Sequence, residues 1–263
     1  MLFPIEHVIH VEKDGGITMP HEFQRTAHLS EIRRTAQEKI FNNIYADSGV
    51  SSEELLTLAQ VVSEACAQCI RIIPGPTKGQ ARAREKTAWD YRGDFYDLKD
   101  VVRMTIIADN KAVLGRARQA LATYCMASNG YGVIKNDETL PIQDPCGYSG
   151  LNFVAKLPNG RSGEIQANIP SIMFGKMSRE KFCRFIDPSL HARIQASYGI
   201  ECGMGHGLYE IYRSNMGGAA QSAAALSKKY YDFLREAPPN SRNREALNSE
   251  LASIKREFRQ VFR

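Results

Sequence analysis

The segment Gly147 to Asn168, GYSGLNFVAKLPNGRSGEIQAN, constrains the fold of this chain more than any other, because its turn chemistry fixes a strand register. Pro158-Asn159-Gly160 fits a three-residue hairpin loop, with Pro in the second position of a type I turn and Gly in the left-handed position that follows. That loop opposes Val154 to Glu164 and Asn152 to Gln166. Period-two alternation then gathers Asn152, Lys156, Ser162, Glu164 and Gln166 on one face, and Leu151, Phe153, Ala155 and Ile165 on the other. A two-residue Asn-Gly loop would shift the pairing by one and bury Glu164 among Phe153 and Ala155, without benefit. The three-residue loop is therefore expected. A polar row on an otherwise apolar sheet is expected to be a site; the plainer reading is a hairpin with its polar face in solvent.

A chain of 263 residues can bury a full core, and it suits one large domain with helical additions. With 43% apolar and 24% charged residues and no apolar run long enough to span a bilayer, it reads as an ordinary globular chain without a membrane anchor. The opening MLFPIEHVIHVEKDGG carries charges where a signal peptide needs an apolar core, so export by the general secretory route is not expected. A dedicated secretion machine that needs no such signal would leave no mark. The net charge of +5 is mild. Between Arg71 and Arg92, however, Arg71, Lys78, Arg82, Arg84, Lys86 and Arg92 face only Glu85 and Asp90, an excess that suits a polyphosphate or a nucleic acid, or else a solvated helix face. Cys66-Ala-Gln-Cys69 lies in an apolar helical pattern, so the cysteines read as buried thiols in a reducing compartment, not as a redox or zinc motif.

Residues 1 to about 30 show weak periodicity and read as a loosely packed arm. Ser51 with Glu54 matches a capping box, and Leu55, Leu58, Val62, Ala65, Cys66 and Cys69 recur at helical spacing until Pro74. Lys78 to Tyr91 has helix-forming composition, with Lys78, Arg82 and Lys86 four residues apart on one face. Lys99 to Ala108 reads as a buried strand entered through Asp97 to Asp100. A helix from Asn110 to about Met126, a short strand near Tyr131 to Lys135, and a loop through Pro141 and Pro145 lead into the hairpin. Beyond Pro170 the chain looks helical to its end, with breaks near Gly199 to Gly205 and at Pro238-Pro239. The expected class is α+β, a mixed sheet flanked by helices.

Asp100 and Glu164 are the two acids expected to carry chemistry. Paired carboxylates on neighbouring strands, facing a basic helix, suit magnesium-assisted phosphoryl transfer, with one acid holding the metal and the other aiding it or taking a proton from a hydroxyl. The alternatives are a turn residue at Asp100 and a solvent-facing Glu164 paired to Lys156.

Four motifs in order, Asp100-Val-Val-Arg103-Met-Thr105, Gly147-Tyr148-Ser149-Gly150, Gly163-Glu164-Ile165-Gln166 and Gly205-His206-Gly-Leu-Tyr209, resemble the synthetase domain of the RelA/SpoT family, in its toxin-like branch. The resemblance spans roughly Pro74 to Arg213. It implies a nucleotidyltransferase-like fold with extra C-terminal helices: an N-terminal arm and helix over 1–50, a pyrophosphokinase domain over 51–213, and helices over 214–263 packed on it. It also implies transfer of the β,γ-pyrophosphate of ATP to the 3′-hydroxyl of a purine nucleotide, giving (p)ppApp or (p)ppGpp.

Carried over residue by residue, the resemblance makes Asp100 the Mg2+ ligand, Glu164 a second metal aid and the activator of the 3′-hydroxyl, and Gln166 an orienting group. Tyr148 matches the residue that stacks on the acceptor base. Lys78, Arg82, Arg84 and Lys86 fall where the family grips ATP. Asn152 and Lys156 line the polar face, and His206 with Tyr209 match a His-x-x-Tyr on the following helix. Thr105 stands where the family usually has Arg, and Arg103, on the same strand face, could serve the pocket instead.

Growth arrest is the implied outcome, with a cytoplasmic site of action and delivery by a signal-independent secretion system. An immunity or antitoxin protein and a second copy of the chain are candidate partners, and SKKYYDFLREA and ELASIKREFRQVFR are candidate partner helices. The alternatives are pyrophosphorylation of the tRNA 3′ end and a catalytically silent nucleotide-binding module. The modest net charge favours a small nucleotide over RNA, which needs a continuous basic path.

Overall fold

The computed structural model describes residues 10–11, 17–18, 21–127, 130–215, 217–235, 252–253 and 256. In chain order the elements are β1 (His10–Val11), β2 (Ile17–Thr18), α1 (His21–Ala46), α2 (Ser48–Ala65), β3 (Ile70–Pro74) and α3 (Gln80–Asp90). A 3-10 turn (Phe95–Asp97) follows, then β4 (Val102–Ala108), α4 (Lys111–Met126), β5 (Gly132–Thr139), β6 (Gly150–Lys156) and β7 (Ser162–Asn168). The remainder is helical: α5 (Pro170–Lys176), α6 (Arg179–Phe185), α7 (Pro188–Tyr198), α8 (Met204–Ser214) and α9 (Gly218–Arg235). The chain divides into two compact units, Met1–Ala46 with Gln80–Leu98, and Asp47–Gly79 with Lys99–Arg263.

The first unit joins α1 to α3 around Phe41 and Phe95, whose ring centroids are 4.6 Å apart. Asp94 accepts from the Tyr96 amide and caps the 3-10 turn, and the Gln37 side chain accepts from the Phe95 amide. The helical part of the expected arm thus begins at His21, while Pro238-Pro239 and most of ELASIKREFRQVFR lie outside the described residues.

The second unit is built on a five-stranded sheet of order β3-β4-β7-β6-β5, with β4 and β7 parallel and the other neighbours antiparallel. The hairpin register is the expected one: Val154 pairs with Glu164 and Asn152 with Gln166. Gly160 has φ of 80° in the loop, a conformation that costs glycine nothing. Leu55, Leu58 and Val62 of α2 and Val113, Ala117 and Leu121 of α4 bury one sheet face with Met104, Ile106, Phe153 and Ile165. Each large side chain removed from water there contributes about 2 kcal/mol. Helices α5 to α9 form a second core with Ile73 and Ile107 at one end of the opposite face. Among its residues, Tyr230, Tyr231, Phe233 and Leu234 show SKKYYDFLR, the described part of SKKYYDFLREA, packing inward on its own domain.

Three expectations are corrected. The helix expected from Ser51 to Pro74 spans Ser48–Ala65 and stops where Ala67 and Gln68 take positive φ; the β-branched run after them forms edge strand β3. Ser51 does not cap that helix. It sits buried inside it and accepts from the Asn159 amide nitrogen at 2.9 Å, while Glu54 accepts from the Asn159 backbone at 3.2 Å and Asp47 pairs with Arg161 at 2.6 Å. The start of α2 therefore grips the hairpin loop. Finally, β5 runs from Gly132 to Thr139, with a register shift between Val133 and Lys135.

Candidate active site

Paired residues on neighbouring strands point to the same side, so the register places Arg103 beside Glu164, and Thr105 beside Gln166 and Asn152. Glu164 is only 8% exposed, as the position of a mid-strand residue between two neighbours dictates. The Gln166 amide nitrogen donates to Glu164 Oε2 at 3.2 Å, and Lys176 Nζ at the end of α5 donates to Gln166 Oε1 at 2.8 Å. Lys176 Nζ also lies 3.4 Å from the Tyr148 hydroxyl and 5.0 Å from the centre of its ring. Asn168 donates to that hydroxyl at 3.0 Å and to the Ser149 carbonyl at 2.6 Å.

The loop carrying Tyr148 is fixed from α9. Arg235 donates to the Gly147 carbonyl at 2.8 and 2.9 Å, and Tyr231 meets the Tyr148 ring edge-on at 5.7 Å. Gly147 has φ of 73°, and a Cβ there would come within 2.7 Å of the Lys228 backbone, so the loop's approach to α9 requires glycine. A cavity of about 300 Å³ opens beside the loop, with Ser149, Asn168, Lys111, Arg118 and Arg235 in its lining.

At the other end of the row, Asp100 is buried just before β4, and Lys78 Nζ lies 2.6 Å from its Oδ2. Lys78 is not on the basic helix as expected. Its backbone amide donates to the Val101 carbonyl, which holds it in an extension of the sheet before α3 begins at Gln80. Arg82, Arg84 and Lys86 belong to the first unit. There Arg82 pairs with Glu85 at 2.6 Å, Arg84 makes a two-pronged bond to Glu38 at 2.5 and 2.9 Å while lying 4.0 Å over the Phe41 ring, and Lys86 lies 5.4 Å from the Tyr91 ring.

The second unit thus brings together Arg103, Asn152, Glu164 and Gln166, with Tyr148 joined through Lys176. Asn152 Oδ1 and Arg103 Nε are buried with no hydrogen-bond partner among the described residues. Lys156 is exposed at the hairpin end opposite Ser162. His206 is exposed on α8, 4.0 Å from Glu210, and Tyr209 is exposed beside it. Sequence reasoning missed Lys176, Asn168 and Arg235. Asn168 was in reach, since alternation through 162, 164 and 166 leads to it.

Asp100, just before β4, and Glu164, on the neighbouring parallel strand β7, are buried carboxylates, hard oxygen donors of the kind that suit Mg2+, which takes one or two protein carboxylates and completes its shell from water and substrate phosphates. Among the described residues no group of three or more His, Cys, Asp or Glu gathers into a closed metal cage. The six cysteines are free thiols; burial pushes Cys125 and Cys146 up to about 11 and Cys202 up to about 12, so those three are poor nucleophiles. No described helix is long and apolar enough to cross a membrane.

No family model matches the sequence. The chain is 30% identical over 202 residues to the (p)ppApp synthetase toxin Tas1 of Pseudomonas aeruginosa strain UCBPP-PA14, a match that takes in 76% of this chain and 44% of that protein. The chain therefore spans less than half the length of the curated relative it matches. The crystal structure of the Type VI effector Tas1 in complex with its immunity protein is 29% identical, with a TM-score of 0.63 over 76% of this chain and 98% of that one. A small alarmone synthetase from Bacillus subtilis with bound pppGpp is more remote, 14% identical at a TM-score of 0.42 over 60% of this chain and 90% of that one. In sequence and in fold the chain is thus similar to a toxin whose printed activity is (p)ppApp synthesis.

Proposed function

We propose that this chain transfers the β,γ-pyrophosphate of ATP to the 3′-hydroxyl of a purine nucleotide, as a growth-inhibiting toxin. The observation that carries the reading is the two buried acids, Asp100 just before β4 and Glu164 within β7, the parallel strand hydrogen-bonded to β4. The similarity to a protein named as a (p)ppApp synthetase toxin supports an adenine nucleotide as acceptor, and the likeness to an effector crystallised with its immunity protein supports a dedicated immunity partner and delivery by a secretion system into another cell's cytoplasm.

In this reading Glu164 takes the proton of the acceptor's 3′-hydroxyl. The freed oxygen attacks the β-phosphorus of ATP, the bond from that phosphorus to the α,β-bridging oxygen breaks, and AMP leaves with that oxygen. Asp100 and Glu164 would hold Mg2+, whose charge offsets that of the ATP phosphates. Lys78, already against Asp100, is placed to follow charge onto the phosphates. Gln166 orients Glu164, Asn152 and Arg103 share their sheet face, and Tyr148 meets the acceptor base. The cavity beside the Tyr148 loop is lined by Lys111, and by Arg118 and Arg235, which pair with Glu138 and Asp232; the acceptor's 5′-phosphates would compete with those acids for the two guanidinium groups. Arg82, Arg84 and Lys86 already have local partners in the other unit, so the proposal rests on the second unit.

The test is incubation with γ-labelled ATP and Mg2+ and, in turn, AMP, ADP, ATP, GDP, GTP or bulk tRNA. Label on an adenine nucleotide is the expected outcome. Label on tRNA alone would make RNA the acceptor, and no transfer with nucleotide binding intact would point to a silent module.

A further inference from the structure

We propose that Lys176 is a positioning residue that couples the acceptor-base contact at Tyr148 to the acid Glu164; this rests on the pyrophosphokinase reading above. The argument begins with what each group can donate. An ammonium has only donors and a carboxylate only acceptors, whereas a side-chain amide has one end of each kind. Gln166 lies between the two: Lys176 Nζ is 2.8 Å from its oxygen, and its nitrogen is 3.2 Å from Glu164 Oε2. The amide has one satisfactory orientation, which Lys176 and Glu164 hold from its two ends. Remove the ammonium and only the longer bond to Glu164 holds the amide, so Gln166 gains freedom and aims Glu164 less firmly.

The same ammonium reaches the Tyr148 hydroxyl at 3.4 Å and lies 5.0 Å from the ring centre. One atom therefore fixes the distance between the group that meets the base and the group that meets the 3′-hydroxyl. Its own position is secure, because Ile172, Met173, Phe174 and Gly175, which precede it on α5, are all buried. A cation in the last turn of α5 also favours the helix dipole, and that structural role must be separated from the proposed one.

The experiment compares wild type with Lys176→Met, Lys176→Arg and Lys176→Ala in the transfer assay, using the acceptor that wild type labels, and records thermal midpoints for all four. Lys176→Met is expected to lower kcat by about 10- to 100-fold, the usual cost of losing a group that orients a reacting residue, with the KM for ATP within about twofold and the midpoint unmoved. Lys176→Arg should restore part of kcat, and added ethylamine should restore part of it in Lys176→Ala. A Lys176→Met variant as active as wild type overturns this proposal alone. So does a loss of activity matched by a fall in midpoint that neither arginine nor the amine repairs. A wild type that transfers nothing overturns the pyrophosphokinase reading and this proposal together.

Discussion

The β7 row and helix α3 both drew attention as charged sequence, yet they hold their charge in opposite ways. On α3, Arg82 and Arg84 are exposed and satisfied by acids close at hand, Glu85 on the same helix and Glu38 on α1. On the sheet, Glu164 and Asp100 are buried, and their partners come from Gln166 and Lys78, with Lys176 behind Gln166. Exposed pairs lose little by being broken, since water replaces the partner; buried ones leave a charge stranded. A run of basic residues is thus weak evidence for a site, and a carboxylate driven into a sheet by strand register is strong evidence.

The contrast can be broken by measurement. Lys78→Met should have the largest effect on stability, about 3 kcal/mol in chemical denaturation, because it leaves the Asp100 carboxylate buried without its ammonium. The double variant Lys78→Met with Asp100→Asn should recover part of that, and a loss near zero for Lys78→Met alone would class this pair with the surface ones. Gly147→Ala should cost about 1–3 kcal/mol through its left-handed backbone and raise the acceptor KM as the Tyr148 loop lifts from α9; an unchanged midpoint would refute the close approach.

Smaller effects sharpen the other side. His191 is buried between Phe174 and Phe182, and burial, then Arg179, hold its pKa below the ordinary 6.5. The unfolded chain takes up that proton first, so the stability His191 contributes is full above about pH 6.5 and is lost as pH falls through its lowered folded-state value. A thermal midpoint followed from pH 8 downward should show this slope, and His191→Leu should flatten it. Arg84→Ala should have the least effect, one that fades as salt is added, whereas the Lys78→Met effect should persist in salt.

Much of the second unit was legible in the chain. Pro158-Asn159-Gly160 sets the hairpin register because a loop of fixed length leaves only one pairing, and Glu164 then falls on a face that the structure buries. Strand β3 was hidden because Cys66 and Cys69 continue the helical spacing of α2 past its true end, and only the positive φ of Ala67 and Gln68 breaks it. Lys78 was misplaced for a similar reason: four-residue spacing to Arg82 suggested a helix, while its amide is bonded to Val101 in the sheet. Lys176 carried no local signal, since its partners meet it only when α5 folds back beside β7 and the Tyr148 loop.

The most direct test of the central claim is transfer of label from γ-labelled ATP by wild type and by Glu164→Gln, side by side. The exchange keeps the size of the side chain and removes its charge and basicity. The account predicts product from wild type and, from a variant with an unchanged thermal midpoint, turnover lower by about a thousandfold or more, as for loss of a general base together with a metal ligand. Full turnover by Glu164→Gln would contradict it.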